Sequence, residues 1–307
     1  MTRLVLTRHT SFRGWPAIAL ARGDLRLHLV PAVGGRIMGI AVGGRELAFQ
    51  QPERAGVLPR SAERADLGAW RTRLGFPLWG GGKTWLAPES RFPAGAPHPD
   101  LDSGAYGVRV LADRPARIAV RLDSPICRDT GLQVTRLVDM AAHRPGWRLV
   151  QRALNRGETA WTGGLWEVLM LRRPVRVRWP ASRTAVLPGK ADPHAGRLAA
   201  AGGTVVCDRP AEFKLGAALA RGWIAAQQGD LGYLRRFPLF PHAHYPHGGP
   251  AEVYNAGRYA YAEVESHGPA VTLAPGEATT LTLFETAGRW HAVARRIPTP
   301  AGEATTP

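Results

Sequence analysis

Two carboxylates stand two positions apart in the run RYAYAEVESHGP (258–269), Glu263 and Glu265. In an extended chain successive side chains point to opposite faces. Tyr259, Tyr261, Glu263 and Glu265 then share one face, and Ala260, Ala262 and Val264 the other. The second face suits packing. The first carries two phenols and two acids about 6.5–7 Å apart, a spacing at which mutual repulsion can raise one carboxyl and leave a base beside an acid. On a solvated edge the same pair is ordinary surface; lining a cleft, it is a candidate catalytic site.

Other groups could serve the same chemistry. TGGLWEVLML (162–171) is an apolar strand carrying one acid, Glu167. A charge in such a run is costly to bury unless paired, so it either forms a salt bridge, with Arg172 or Arg173 as nearby partners, or sits at a cleft rim as an acid. FPLFPHAHYPHGGPAEVYN (237–255) holds His242, His244 and His247. A His-x-His pair with a third histidine and Glu252 has the donors for zinc, but prolines and glycines break the strand that would aim them. The expectation is no metal and a loop histidine, His244, as general acid, since imidazole titrates near neutrality. PLWGGGKTWLAPES (77–90) sets Trp79 and Trp85 around three glycines and Lys83. The spacing is not that of a phosphate loop. It fits either a tight turn between core tryptophans or a wall for a flat ligand, with an indole for stacking and Lys83 for hydroxyls.

The elements that must position these groups read as strands. LRLHLVP (25–31), RIMGIAVGGRELAF (36–49), YGVRVLAD (106–113), ARIAVRLD (116–123), LQVTRLVDM (132–140), GWRLVQRALN (146–155) and ATTLTLFET (278–286) alternate apolar and polar residues. Gly43-Gly44 marks a hairpin, and LAPGEAT (273–279) a turn between closing strands. The helical signals are SAERADLGAWRTRL (61–74), with Ser61 as N-cap, and a turn or two in RWHAVARRI (289–297). GKADPHAGRLAAAGG (189–203) reads as a surface loop. No linker or repeat divides the chain. The reading is an all-β protein: one domain over residues 1–290 and a partly disordered tail over 291–307.

Composition narrows the partners. Forty lysines and arginines against 24 acids give +16, but three are lysines and the arginines are scattered without a block. Scattered charge carries no sequence readout, which argues against nucleic acid. Charges interrupt every apolar stretch, which argues against a membrane span, and the first residues lack a signal-peptide core. The expected location is the cytoplasm. Two cysteines, Cys127 and Cys207, make no disulfide framework and read as reduced, buried apolar residues.

Four stretches together, PAVGGRIMGIAVGGRELAF, LGFPLWGGGKTWLAPES, GGLWEVLML and AEVYNAGRYAYAEVESHGPAVTLAPGE, resemble the galactose mutarotase-like superfamily, specifically an aldose 1-epimerase-like bacterial branch. They occur in order from about residue 25 to 287. The resemblance implies a large antiparallel β-supersandwich with a carbohydrate cleft across one sheet and no cofactor. It implies that Glu263 or Glu265 is the base that takes the anomeric hydroxyl proton while an acid protonates the ring oxygen. Lys83 and Trp85 fall where the family places sugar contacts. The family's acid is a histidine on the mid-chain strand; GGLWEVLML has none, so His244 or Glu167 is expected in its place. Trp166, His242, His247, Tyr254, Asn255 and Arg258 complete the expected binding wall. The expected function is cofactor-independent epimerisation of a sugar or an acidic sugar, by a monomer or homodimer. The alternative is a binding protein on the same scaffold. A glycoside hydrolase fits least, because neighbours on one strand cannot flank a scissile bond.

Overall fold

The computed structural model describes residues 3–59, 78–187 and 203–298. Strands are numbered in chain order. One sheet runs β1 (Leu4–Phe12), β2 (Trp15–Arg22), β3 (Leu25–Val30), β4 (Arg36–Val42), β6 (Gly82–Ala87), β11 (Trp161–Arg172), β19 (Tyr261–His267), β18 (Ala251–Asn255), β15 (Phe213–Leu219), β13 (Ala181–Val186). Two short strands are appended: β5 (Arg45–Glu46) on β4 and β20 (Val271–Leu273) on β11. The second sheet runs β14 (Thr204–Cys207), β12 (Val175–Arg178), β16 (Trp223–Gln228), β17 (Leu231–Arg236), β21 (Ala278–Arg289), β10 (Trp147–Asn155), β9 (Leu132–Ala141), β8 (Arg117–Ile126), β7 (Gly107–Arg114). The pairings are antiparallel. The all-β expectation holds.

The alternation seen in the sequence is the sandwich core. Leu27, Leu29, Ile40, Leu169, Val264 and Leu215 of the first sheet meet Val120, Val138, Leu149, Ile224 and Leu283 of the second in one apolar cluster. Gly43 and Gly44 take positive φ at the β4–β5 hairpin, as expected. The turn at 273–279 instead carries the chain from the first sheet to the second, because β20 pairs with β11 and β21 with β10 and β17. The helix expected at 61–74 and residues 189–202 of the expected loop lie outside the described residues. In the expected tail, a helix α2 (Trp290–Ala294) buries Val293 against Trp223, Ala225 and Leu234, so ordered packing extends past residue 290. Among the described residues no helix is long and apolar enough to cross a membrane.

The glycines of PLWGGGKTW have a structural cause. Gly80 and Gly81 take positive φ, and a Cβ on them would lie 2.2 Å from the Phe49 carbonyl oxygen and 2.6 Å from that of Ile37. The close backbone approach that glycine permits is to neighbouring chain, not to a ligand. Trp79 is a core residue, packed with Trp15, Val30 and Met38. Of this stretch, Lys83 and Trp85 reach the face that matters below.

His28 on β3 stacks on Phe12 with ring centroids 4.4 Å apart, and its Nδ1 has no hydrogen-bond partner. Burial, with Arg26 adding to it, pushes this imidazole down from 6.5 to about 4. A depressed histidine means that the unfolded chain binds the proton first. Stability is therefore expected to fall as pH drops from about 6.5 to about 4. Urea midpoints across that range should show a shallower slope in His28→Leu; an identical slope would remove His28 from the acid response.

Candidate functional site

Five adjacent strands of the first sheet, β6, β11, β19, β18 and β15, build the site. Register places Trp85 opposite Trp166, Lys83 opposite Val168, and Trp166 opposite His267. Glu265 lies opposite Glu252 and Glu263 opposite Tyr254, which in turn faces Lys214. Because side chains alternate, these residues project from the face turned away from the second sheet. Above them is a cleft of about 380 Å³ lined by Trp85, Trp166, Lys214, Tyr254, Tyr261 and Glu263, with Glu89, Glu212 and Arg258 to Tyr259 at its sides.

The two neighbouring acids have different surroundings. Glu263 reaches the cleft wall, and its Oε1 accepts from the Lys83 ammonium at 3.0 Å. Burial lowers Lys83 from the usual lysine range, opposed by Glu263. That ammonium also sits 4.2 Å above the Trp85 ring, a cation–π contact that helps hold it in place. Glu265 is fully buried beneath the floor. It accepts from Trp166 Nε1 at 2.8 Å and lies 3.2 Å from Lys214 Nζ. Burial, with Glu252 and Glu263 close by, raises it well above the usual carboxylate range against the pull of Lys214.

Behind Glu265 lies a knot of ionisable groups that sequence reading missed as a unit. Lys214 Nζ is 2.8 Å from Glu252 Oε2, and His267 Nε2 is 3.2 Å from the same oxygen. Burial opposes the charge on Glu252, but His267 and Lys214 hold it well below its ordinary value. Burial lowers His267, against the pull of Glu252. Burial also works against Lys214, but Glu265 and Glu252 raise it, so it remains an ammonium while it lines the cleft. His267 was legible: it continues the parity of Glu263 and Glu265 by one step. Lys214 had no local signal, since only β15–β18 pairing brings it here.

Several expected site residues lie elsewhere. Glu167 alternates to the inside: Arg136 Nη1 donates to its Oε2 at 2.9 Å, Thr84 bonds it at 3.0 Å, and Arg235 lies 4.0 Å away. It is a paired charge between the sheets and cannot be the acid of the cleft; its partners are Arg136 and Arg235 rather than Arg172 or Arg173. Asn255 also faces away, donating to the Arg209 and Ala211 carbonyls. His242 and His244 are exposed loop residues and do not line the cleft, so His244 is not in place as an acid. His247 packs edge-on against Trp166 at 4.8 Å, and its Nδ1 lies 3.1 Å from Glu252 Oε1. The Glu89 N–H donates to its Nε2 at 3.1 Å, which leaves the ring proton on Nδ1, facing Glu252. It supports Trp166 from behind. Lys83, Trp85, Trp166, Tyr254, Arg258 and Glu263 do converge.

No family model matches the sequence, and no curated protein matches it. Solved structures do. A galactose mutarotase-like protein from Clostridium acetobutylicum superposes with a TM-score of 0.63 over 94% of this chain and 99% of its own, at 12% identity. The fold is that of the galactose mutarotase-like proteins. A "putative aldose 1-epimerase" from Klebsiella pneumoniae gives 0.64 over 94% of this chain and 84% of its own, at 13% identity. A TPR-domain containing protein from Parabacteroides distasonis gives 0.61 over 93% of this chain at 13% identity. This chain spans about half of that protein, 53% of its length. In this galactose mutarotase-like fold the cleft lies across the first sheet, and β19 contributes Glu263 to it.

Proposed function

We propose that the cleft binds a sugar and that Glu263 abstracts the anomeric hydroxyl proton, opening the ring as an aldose 1-epimerase does. One observation carries this reading. A carboxylate anchored by a buried lysine stands in a cleft of about 380 Å³ walled by two tryptophans and three tyrosines. The volume suits a small ligand. Indole and phenol faces suit the C–H face of a sugar ring. The likeness to mutarotase-like and epimerase-like structures supports the reading at the level of fold.

In the reaction Glu263 takes the proton from O1 as the C1–O5 bond breaks, and the Lys214 ammonium stabilises negative charge growing on O5. O5 takes a proton from water, and Glu263 gives its proton to the hydroxide left behind, so the open-chain aldehyde forms with the carboxylate regenerated; rotation about C1–C2 and the reverse steps give the other anomer. Lys214 serves as a fixed positive charge, not as a proton source, because Glu265 and Glu252 hold its proton. The ligand is a neutral sugar: Glu89, Glu212 and Glu263 at the cleft offset Lys214 and Arg258, so the +16 of the chain is not concentrated there.

A binding-only role is favoured by a different observation. Among the described residues that line the cleft none is a histidine. One measurement separates the two. Exchange NMR on a panel of neutral aldoses should show faster anomer interconversion with catalytic amounts of protein. Ligand-dependent shifts without faster exchange would establish the binder instead.

A further inference from the structure

A second group of reactive side chains meets on the far side of the Trp85 wall. Cys127 follows β8 and opens a tight turn to Gly131, closed by Gly131 N–H to the Cys127 carbonyl and Cys127 N–H to the Leu132 carbonyl, both 2.8 Å. His98, the residue before the short helix α1 (Pro99–Asp102), brings its Nδ1 to 3.1 Å from Asp129 Oδ2. That oxygen lies 4.0 Å from Cys127 Sγ, and the three donor atoms all lie within 4.8 Å of one another. Cys127 and His98 are buried, whereas Asp129 is part exposed. His98 and Asp129 line a cavity of about 250 Å³ shared with Thr130 and Trp161.

We propose that His98, Cys127 and Asp129 bind a divalent cation of the zinc class, with a fourth position open to that cavity. The set is sulfur, imidazole and carboxylate, which zinc accepts and which calcium and magnesium do not favour. Zinc bonds of about 2.0–2.3 Å in a tetrahedron place donor atoms roughly 3.3–3.6 Å apart. The 3.1 and 4.0 Å separations bracket that range and the third lies within 4.8 Å, so closure needs side-chain shifts of about an ångström. Binding displaces the thiol proton and the proton on His98 Nδ1. The cavity supplies an entry path. Arg128, beside the site in sequence, directs its guanidinium to Asp100 at 3.1 Å.

The other cluster of similar composition, His247, Glu252 and His267, does not qualify. The Lys214 ammonium already occupies Glu252 at 2.8 Å, and the proton on His247 Nδ1 removes the lone pair that would face an ion. The proposal departs from the sequence expectation of no metal and is independent of the sugar reading. A metal here would tie the 127–131 turn to α1, whose Asp102 accepts from Trp85 Nε1 at 2.8 Å, and so would brace one wall of the cleft.

The test is a Co²⁺ titration of the reduced, chelator-treated full chain. The expected result is one equivalent of Co²⁺ with a near-ultraviolet thiolate-to-cobalt band, displaced by Zn²⁺. The band should vanish in Cys127→Ser and persist in Cys207→Ser. Asp129→Asn, a change on an exposed turn that preserves the fold, should weaken binding by about ten-fold or more. Zn²⁺ should raise the melting temperature of the wild type. A wild type with no thiolate band overturns the site whatever the variants do. So does a band that survives Cys127→Ser or is lost in Cys207→Ser.

Discussion

Glu263→Gln is expected to slow anomer exchange by about 10²–10⁴-fold while sugar-dependent NMR shifts persist. That range is what a positioned general base contributes. Glutamine keeps the size and an oxygen acceptor for the Lys83 ammonium but cannot take a proton. The loss should therefore fall on turnover rather than on binding. The change also leaves Lys83 buried beside a neutral partner, so some stability loss is expected, about 1–3 kcal/mol for a polar group that loses its complement. Rates should be compared well below the variant's own melting temperature. Glu265→Gln is the matched control. Glu265 is fully buried, and burial, with Glu252 and Glu263 close by, raises it well above the usual carboxylate range against the pull of Lys214. Glutamine keeps the size and an acceptor for Trp166 Nε1, and Lys214 keeps Glu252 as its partner, so exchange should remain within a few-fold of wild type. A carboxyl raised in the folded state costs stability as pH climbs from its unfolded value toward its folded one. Glu265→Gln removes that cost, so its stability should fall less than that of wild type as pH rises above the usual carboxylate range. If Glu265→Gln abolishes exchange while Glu263→Gln leaves it intact, the base has been misassigned.

Glu167→Ala is expected to unfold the protein more readily by about 3–5 kcal/mol, the usual consequence of removing one member of a buried ion pair. Arg136 and Arg235 are both fully buried, and both face Glu167. Thr84 and Gln151 also bond its carboxylate. Without it, Arg136 loses its charge partner between two sheets, whereas Arg235 keeps Glu285 at 2.9 Å. At about 2–4 °C per kcal/mol the melting temperature should fall by roughly 10 °C. Anomer exchange per folded molecule should be unchanged, because the carboxylate does not face the cleft. Thermal melts with exchange NMR on the same samples decide the matter. Loss of exchange in a folded Glu167→Ala protein would return this residue to the catalytic list.

The strand pattern and the split personality of β19 were legible in the sequence, and for one reason. Period-two alternation is a local property of the backbone, so Ala262 and Val264 against Glu263 and Glu265 declared two faces without any tertiary information. The same logic extended to His267, which lies on the parity of the acids. It also held for Glu167, whose parity with Leu165 and Leu169 placed it on an apolar face; the structure shows that face to be the interior. What distinguished an interior ion pair from a cleft acid was Arg136, 31 positions earlier, and no local pattern points to it. The Gly80-Gly81 pair showed that backbone approached closely there, but not that the neighbour was Phe49 and Ile37.

The sequence by itself determined the all-β class, many of the strands and their two faces, because side-chain alternation needs no partner. Only the tertiary structure decided which acid reaches the cleft, that Lys214 and Lys83 flank it, that His244 does not, and that His98 meets Cys127 and Asp129. Those facts depend on pairing between strands and loops far apart in the chain. Such pairing is set by how the whole core closes, and the residues that meet carry no mark of it in their own neighbourhoods.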